Sequence, residues 1–404
     1  MNNSTTIFRL NGAVQNYDWG GFTFLPALLN LTNEGKKPFA EYWLGAHSKS
    51  PGSVMLAGNK TETLDVFIQE NALSRLGEKV YERFGRLPYL LKVLDVKDML
   101  SIQVHPSKQS AEKKFEEENN KSIPLQAAER NYKDNNHKPE LLSPLGEVYL
   151  LHGFKEPVSL ARLLKEIPEL NFLSEDFKQG DYRSLYTRVM IMPQEEVNER
   201  LAPLLGRIIT LYTDGQLTKS SEHFWAARAA ITFNKNGNID RGIFSVYFFN
   251  VVKVVPGEGL FQDAGLPHAY LEGHTMEIMA NSDNVLRGGL TPKHIDVKEL
   301  LEHVRFEPTV PNITRGVNNG LVEEVFITPA ADFQLSRILL TGGKTITINT
   351  LTADIYFVYQ GAVKVVSGEE EIDLSQGQSL LAIPAARLKL SAAGSAIVFR
   401  ATAP

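Results

Sequence analysis

The sequence predicts a mainly β protein with a helical insertion, arranged in three successive parts. Residues 7–150 contain short apolar runs bounded by Gly and Pro, such as Tyr89–Asp95 and Glu147–Leu151, and such runs favour strands. Residues 155–245 change to the periodicity of amphipathic helices. Strand composition resumes at Tyr247–Val255, which is rich in aromatic and β-branched residues. We therefore expect helices inserted into a β region, with a second β region after it.

Helices are predicted from apolar residues that recur on one face of a 3.6-residue period. Inside the first β region we expect a single helix, Ser107–Asn119, which is rich in Lys and Glu, follows Pro106 and is read as a solvated surface helix. In the insertion we expect three helical stretches, namely Val158–Ile167, Glu196–Tyr212 and Phe224–Ile231.

The last part of the chain, from about residue 325, is predicted to be a β-sandwich or jelly roll. Its glycines, among them Gly361, separate short strand-like runs, which is the pattern of such folds. The clearest expected strands are Ile355–Tyr359, Ala362–Val366, Leu380–Ile383 and Ala396–Arg400. The segment contains no histidine. It cannot carry a histidine-based metal site, and we expect a structural or lid-like role for it.

Composition bounds the class of protein. A chain of 404 residues with 43% apolar residues has enough material for two or three domains. Its net charge of −5 gives no general attraction to nucleic acid or anionic membranes. No apolar run approaches the roughly 18 residues of a membrane span, and the N-terminus has no apolar signal-peptide core. We expect a cytoplasmic protein.

The chain has no cysteine. Disulfides, thiolate metal sites and cysteine nucleophiles are therefore excluded. A transition metal would have to be bound by histidine, carboxylate or amide groups.

Three polar clusters contain the candidate site residues. Gln103 and His105 lie two residues apart, so that on a strand they face the same side together with Ser101. By spacing alone, an exposed strand face explains this pattern better than a metal site. The run Tyr132–Glu140 combines turn residues with His, Lys and Glu, as in a functional loop on a rigid scaffold. Its alternative is a polar surface loop.

The third cluster spans Gly265–Gly289 and begins with a turn that precedes His268. Glu277 lies among apolar residues: it is either exposed on the opposite face, or buried with a raised pKa and suited to acid–base work. Arg287 precedes two glycines and would be open to an anion, although Arg-Gly-Gly is also a common loop.

Taken together, the clusters offer two imidazoles, a carboxylate and an amide oxygen, from Gln103, His105, Glu140 and His268. Such a set suits catalytic zinc with a position left for water or substrate. Iron, cobalt and manganese would also fit, because sites built from nitrogen and oxygen discriminate poorly among these metals.

The runs Tyr132–Glu140 and His268–Lys293 resemble two signatures of the type I phosphomannose isomerases, a family of the cupin superfamily. Asn16–Gly20 and Ala40–His47 resemble the N-terminal blocks of that family. The resemblance extends in order over about residues 7–300, and several long motifs at matching spacing are highly specific. One departure is Gly288, where the family usually has alanine.

The resemblance implies a fold of cupin or jelly-roll β-barrels. A metal-bearing catalytic barrel would comprise residues 1–154 and 246–324, a helical insertion 155–245, and a second, C-terminal barrel 325–404. It also implies one zinc ion per chain, bound by Gln103, His105, Glu140 and His268, and a catalytic role for Arg287. Candidates for the proton-transferring base are Lys138, His137, Glu277 and a zinc-bound hydroxide. The expected substrate contacts are Trp19, Lys92, Ser101, Tyr270 and Lys293.

The activity implied is reversible isomerisation of D-mannose 6-phosphate to D-fructose 6-phosphate through a cis-enediol. The expected partner is a small sugar phosphate, without nucleic acid or membrane, on a monomer or weak homo-oligomer. Two alternatives stay open: an isomerase of a related aldose, and a non-catalytic cupin sensor of sugar phosphates. An added guanylyltransferase activity is discounted, because the sequence has no Gly-rich phosphate loop. Structural or surface roles are expected for the other histidines, which are His47, His152, His223, His274, His294 and His303.

Overall fold

The structure is a computed structural model that describes residues 5–318 and 322–404. Residues 1–4 and 319–321 of the predicted catalytic barrel lie outside the described residues. Within the described ranges, every helix is too short or too polar to cross a bilayer. The described part of the chain is mostly β-sheet with helices, as the sequence predicts.

The strands are numbered here in chain order. Those up to the helical insertion are β1 (Ile7–Asn11), β2 (Ala13–Gln15), β3 (Glu41–Gly45), β4 (Ser53–Met55), β5 (Thr61–Thr63), β6 (Tyr89–Val96), β7 (Ile102–Val104), β8 (Glu140–Pro144) and β9 (Val148–Phe154). Those between the insertion and residue 318 are β10 (Phe249–Val254), β11 (Glu258–Gln262), β12 (His268–Ala280), β13 (Leu286–Gly289), β14 (Ile313–Arg315) and β15 (Val317–Asn318). The remainder are β16 (Glu323–Phe326), β17 (Gln334–Leu340), β18 (Thr345–Asn349), β19 (Asp354–Gln360), β20 (Ala362–Ser367), β21 (Glu370–Ser375), β22 (Ser379–Ala382), β23 (Arg387–Ser391) and β24 (Ala396–Thr402).

The α-helices are numbered in the same way. They are α1 (Phe24–Leu28), α2 (Leu64–Glu70), α3 (Ala72–Leu76), α4 (Glu78–Phe84), α5 (Lys108–Asn120), α6 (Pro157–Glu166), α7 (Tyr182–Met190), α8 (Gln194–Thr213), α9 (Glu222–Phe233), α10 (Gly242–Phe248) and α11 (Val297–His303). Short 3-10 helices are Ala57–Asn59, Pro168–Leu173 and Lys178–Gly180.

The described strands form three sheets. The sheet that carries the site contains β2, β3 and β6 to β14, with the long β12 pairing with β6 and β8 at one end and with β7 and β9 at the other. A second sheet has the order β15-β16-β17-β24-β19-β22-β1-β4-β5, and a third the order β18-β23-β20-β21. The N-terminal strand β1 therefore pairs with β22, with Ile7 opposite Ala382.

Alternation along β7 explains how one short strand serves both the core and the site. Ile102 and Val104 are fully buried in the same apolar core as the insertion helices, which include the buried Trp225 of α9. Residues two apart on a strand share a face. Gln103 therefore points to the side opposite the helices, and the insertion backs the strand that presents it.

Most predicted elements are confirmed, and two predictions are wrong. The expected helices correspond to α5, α6, α8 and α9, and the Ser107 hydroxyl caps α5 by accepting a hydrogen bond from the Ser110 amide. Tyr247 and Phe248, expected to begin a strand, instead end helix α10. The run is buried, and a short buried apolar run does not distinguish helix from strand by periodicity.

The second error concerns the first β region, for which we expected one helix. The structure adds α1 to α4 there. These helices have only five to seven residues each. Isolated helices of that length are unstable, so they depend on tertiary burial of residues such as Leu64, Phe67 and Val80.

Candidate metal centre

Neighbouring strands bring the predicted metal ligands together. Gln103 on β7 lies opposite His268, the first residue of β12, and His105 follows one residue after β7 ends. Glu140 is the first residue of β8, which pairs with the other half of β12. The site therefore lies between the two ends of β12, with His268 as the first residue of that strand and Glu140 opposite Met279 near its last.

His105, Glu140 and His268 converge on one buried point. The Nε2 atoms of His105 and His268 each lie 3.3 Å from a different oxygen of the Glu140 carboxylate. One ligand atom from each of the three residues can be chosen so that all lie within 4.8 Å of one another. All three side chains are buried. This is the only such cluster of His, Asp and Glu found among the described residues.

Backbone carbonyls orient both rings for metal binding. The Nδ1–H of His105 donates to the carbonyl of Asn284 at 2.8 Å, and that of His268 donates to the carbonyl of Leu266 at 2.9 Å. Each Nε2 therefore presents its lone pair to the common point, the arrangement in which imidazole binds metals. Nε2 of His105 is buried and has no hydrogen-bond partner among the described residues.

The protonation states also suit a cation. Burial lowers the pKa of His105 to about 4, which keeps the ring neutral. Burial would raise the pKa of Glu140, but the nearby Lys138 and His105 outweigh it and hold that pKa well below its ordinary value. Two neutral imidazoles and one carboxylate form a ligand set that zinc accepts, so the residues present fit the implied metal.

Lys138 contacts the metal centre directly, with Nζ 2.9 Å from Oε1 of Glu140. It is the base candidate that lies at the ligands themselves. Gln103 is half-buried and pairs with both His268 on β12 and Arg287 on β13. Its amide is thus next to two site residues, and its place as a fourth ligand is a proposal.

Next to the ligands lies a buried charge network that the sequence revealed only in part. The ammonium of Lys92 is 3.1 Å from Glu277 Oε2 and 3.5 Å from Glu41 Oε2. The hydroxyl of Tyr270 donates to Oε1 of Glu277 at 2.8 Å and accepts from the amide of Gln262 at 3.1 Å. Lys92, predicted to contact substrate, is therefore already paired with two carboxylates.

Burial and the neighbouring charges together determine the pKa values in this network. It raises the pKa of Glu277, against the opposing effect of Lys92. It also raises the pKa of Tyr270 well above its ordinary value, and the neighbouring Glu277 raises it further. For Lys92, burial alone would lower the pKa, but Glu41 and Glu277 together raise it. The ammonium thus stays charged between the two carboxylates.

Glu41 and Gln262 were missed at the sequence level. Glu41 lies on β3 and also accepts a hydrogen bond from the indole N–H of Trp43. Its only sequence signal was its place in the run Ala40–His47. Gln262 faces Glu140 across the β11–β8 pair and is fully buried, yet nothing in its local sequence indicates this.

Arg287 is a cation without a partner. Within the described residues its guanidinium makes no hydrogen bond or ion pair, and burial lowers its pKa. Burial lowers the pKa of Lys293, and the nearby charges of Arg287 and Lys49 lower it further. Two unneutralised cations, the half-buried Arg287 and the exposed Lys293, favour an anionic ligand. Of the other predicted contacts, Ser101 is half-buried and Trp19 packs against the core that contains Tyr270.

A local steric constraint explains why glycine occupies position 288, beside Arg287. A Cβ at this position would lie 2.6 Å from the Tyr186 hydroxyl and 3.0 Å from the side chain of Ile102. Tyr186 comes from helix α7 of the insertion. The glycine therefore allows the insertion to pack closely behind the strand that carries Arg287.

His137 lies apart from the metal ligands. Its Nε2 is 3.0 Å from Oδ2 of Asp332, a buried residue between β16 and β17. Both line a cavity of about 670 Å³ whose lining includes none of the four predicted metal ligands. The geometry does not place the His137 ring at the centre, in contrast to Lys138.

Asn284 links two of the segments that carry predicted metal ligands and was not singled out by its sequence pattern. Its carbonyl accepts from His105, while its side-chain amide donates to the carbonyls of Asp134 and Asn136. Its Oδ1 accepts from the backbone amide of Lys133. One buried residue therefore connects His105, through its backbone carbonyl, to the loop that leads to Glu140, through its side chain.

Comparison with known proteins identifies relatives of this chain. The family model described as phosphomannose isomerase type I, catalytic domain, matches residues 7–157. The mannose-6-phosphate isomerase of Escherichia coli (strain K12) is 39% identical over 377 residues, which cover 92% of this chain and 93% of that protein. That of Rattus norvegicus is 32% identical, with 98% of both chains covered.

Solved structures agree over the whole chain. The crystal structure of mannose 6-phosphate isomerase from Salmonella typhimurium, bound to its substrate and to zinc, aligns with a TM-score of 0.87 at 35% identity. The alignment covers 99% of this chain and all of that one. With a sequence relative of this identity and coverage, and with a histidine–carboxylate cluster suited to zinc, the chain belongs to the type I phosphomannose isomerase family.

Proposed function

We infer that this protein reversibly interconverts D-mannose 6-phosphate and D-fructose 6-phosphate, with zinc as its cofactor. The single observation that carries the inference is the buried convergence of His105, Glu140 and His268, with their Nε2 lone pairs and carboxylate oxygens directed to one point. The membership of the family and the structure of a relative bound to zinc and substrate support the same substrate pair.

His105, Glu140 and His268 would hold zinc, with Gln103 as the fourth ligand. When bound, zinc supplies a Lewis acid for substrate oxygens and can lower the pKa of a bound water. We propose one ion per chain. Gln103 is supported by its pairing with His268 and by its half-buried amide.

The isomerisation moves one proton between carbons. A base takes the C2 proton of the open-chain aldose, a proton is gained at O1, and a cis-enediol results. Loss of the O2 proton and return of a proton to C1 give the ketose. The costly species is the enediolate that forms as the C–H bond breaks, because its negative charge must be stabilised. We propose that Arg287 stabilises this charge, because its guanidinium has no other partner among the described residues.

We propose Lys138 or Glu277 as the proton-transferring group. Lys138 is supported by its 2.9 Å contact with Glu140. Glu277 is supported by burial, which raises its pKa in the direction that suits a carboxyl group to acid–base work. His137 is disfavoured, because its ring is bonded to Asp332 on a different cavity.

Substrate contacts follow from which groups are free. We propose that Lys293 and Ser101 bind the phosphate and that Trp19 and Tyr270 line the sugar pocket. Lys92 is better suited to holding Glu277 than to binding phosphate, because two carboxylates already neutralise it.

The finer architecture is also a proposal. The two larger sheets and the third sheet would form two cupin or jelly-roll barrels, with a catalytic barrel over residues 1–154 and 246–324, an insertion over 155–245 and a second barrel over 325–404. The described sheets support two β regions, with β1, β4 and β5 completing the sheet of the C-terminal region. We further propose a monomer or weak homo-oligomer in the cytoplasm.

A coupled assay tests the function. Purified protein would be assayed for conversion of mannose 6-phosphate to fructose 6-phosphate, with metal analysis of the same sample. Free mannose and other aldose phosphates serve as comparison substrates. We expect turnover of mannose 6-phosphate above all others and about one zinc per chain. Preference for an unphosphorylated aldose would favour the related-aldose alternative, and binding without turnover would favour a sensor.

Deuterium exchange identifies the proton-transferring base. Lys138→Ala and Glu277→Gln would be compared in deuterated water for isomerisation and for deuterium incorporation at C2 of the aldose. The variant that lacks the base should lose both reactions together. If neither variant loses exchange, the proton transfer belongs to another group.

A further inference from the structure

The loop that leads to the metal ligand Glu140, residues 133–140, is attached to two separate parts of the chain. At its start, Asp134 accepts hydrogen bonds from Ser282 and from the amide of Asp283, and the Asn284 side chain binds four of the loop's backbone groups. These bonds join the loop to the segment between β12 and β13. They do not include His137 or Lys138, which lie between these bonds and a further one, from the amide of Ala280 to the carbonyl of Pro139 at 3.1 Å.

The second half of the loop is attached to the C-terminal β region. Nε2 of His137 lies 3.0 Å from Oδ2 of Asp332, which is 195 residues further along the chain. Asp332 is only 3% exposed. Within the described residues its carboxylate has no other hydrogen-bond or ion-pair partner. A buried carboxylate with a single partner is costly to separate from it.

The chain between His137 and Glu140 is short and stiff. Pro139 fixes its own φ and restricts the backbone of Lys138. A displacement of His137 is therefore passed on to Lys138 and to Glu140, whose side chains are in contact at 2.9 Å. The bond to Asp332 thus limits the positions that both groups can take.

We propose that Asp332 is a positioning residue of the metal centre: by holding His137, it sets the position of Glu140 and Lys138. The C-terminal β region, which has no histidine of its own, thereby contributes to metal binding and turnover. The part of this proposal that concerns turnover rests on the proposed isomerase function. The part that concerns zinc binding rests on the ligand geometry alone.

The bond also determines which ring nitrogen of His137 carries the proton. A carboxylate accepts, so Nε2 must be the donor and, in the neutral ring, Nδ1 the unprotonated nitrogen. The tautomer is a signature of the contact itself. A merely stabilising effect of Asp332 on the fold would not fix it.

The test compares Asp332→Ala and Asp332→Asn with a matched control. Asp263→Ala removes a carboxylate from the same cavity, but Asp263 is exposed and pairs with Arg305 rather than His137. Three quantities are measured on the full chain: the zinc Kd by competition with a chromophoric chelator, kcat and KM separately, and the imidazole nitrogen spectrum of metal-free protein. A His137→Gln spectrum assigns the His137 signal.

We expect Asp332→Ala to raise the zinc Kd by about 10-fold, the scale seen when outer partners of metal ligands are removed. It should lower kcat with little change in KM. Asp332→Asn retains an acceptor oxygen and should therefore keep most of the zinc affinity and most of kcat. Asp263→Ala should behave as wild type. In wild-type protein His137 should show the Nε2–H tautomer.

Several results would overturn the proposal. One is a folded Asp332→Ala protein with wild-type zinc Kd and kcat, and another is equal loss in the Asp263→Ala control. If Asp332→Ala does not fold, an Nδ1–H tautomer of His137 in the wild-type protein is sufficient refutation. Absence of isomerase activity in wild-type protein would contradict the proposed function instead, because zinc affinity and tautomer can still be measured.

Discussion

The buried ion network gives the sharpest prediction about stability, through Lys92→Met. The substitution keeps an unbranched side chain of similar length but removes the ammonium that lies 3.1 Å from Glu277 and 3.5 Å from Glu41. Each contact corresponds to roughly 5 kcal/mol of Coulomb attraction at an effective dielectric constant near 20. Part of that is offset by the cost of burying the ammonium, and breaking a buried ion pair typically costs about 3–5 kcal/mol.

The loss of unfolding free energy in Lys92→Met should depend on pH. Burial already raises the pKa of Glu277, and Lys92 opposes that rise. Without Lys92 the pKa of Glu277 rises further, so in the variant the carboxyl takes up a proton more readily when folded than when unfolded. A raised folded pKa contributes stability below the unfolded pKa that is lost as pH rises through the folded pKa. The deficit of Lys92→Met should therefore be larger at pH 8 than at pH 5.

Urea unfolding at both pH values, followed by tryptophan fluorescence, measures the deficit. Adding Glu277→Gln to Lys92→Met removes one uncompensated charge while keeping an acceptor for Tyr270. At pH 8 the double variant should recover at least ~1 kcal/mol of what the single variant loses, on the scale of one buried unpaired group. A loss below about 1 kcal/mol for Lys92→Met at pH 8, or no recovery in the double variant, would refute the assignment of a strongly coupled buried network.

Three further predictions concern metal, catalysis and acid stability. Stripping metal with a strong chelator should abolish isomerase activity and added zinc should restore it; full activity in verified metal-free protein would contradict the metal assignment. Arg287→Ala should lower kcat by about 10²–10³, the scale for one charge-stabilising donor, with an unchanged melting temperature, and an unaltered kcat would remove Arg287 from the mechanism. Burial would raise the pKa of Glu299, but hydrogen bonds lower it to about 2. Its stabilisation should be present above the unfolded pKa and be lost as pH falls from about 4.5 towards 2, amounting to at most ~3 kcal/mol. Acid unfolding of Glu299→Gln should show a flatter pH dependence in that range, and an unchanged slope would refute the assignment. The donors to Glu299 are His303, Tyr132 and Lys114.

Local patterns predicted most of the elements because their causes are local. The helix α8 follows from apolar residues at helical spacing, and α5 begins where Ser107 can cap it. Helix α10 escaped prediction, since Tyr247 and Phe248 belong to a run that is apolar on all sides. A buried environment selects helix or strand for such a run, and that environment is supplied by the rest of the chain.

The candidate site, too, was predicted only in part from local sequence. Alternation on β7 predicted that Gln103 and His105 share a face, and family motifs added Glu140 and His268. Motifs did not predict that Lys92 is bound between Glu41 and Glu277. Strand register creates that arrangement, because Glu277 lies opposite Lys92 on the paired strands β12 and β6.

By itself, the sequence determined the chemistry available to this protein. The absence of cysteine restricts a transition metal to nitrogen and oxygen ligands, and the spacing of polar residues marks the segments that supply them. Only the tertiary structure decided which polar groups meet. It directs His137 to Asp332, 195 residues away, and leaves Arg287 without a partner among the described residues. The physical reason is that side-chain electrostatics depend on distance and burial, which strand register and packing determine and local sequence does not encode.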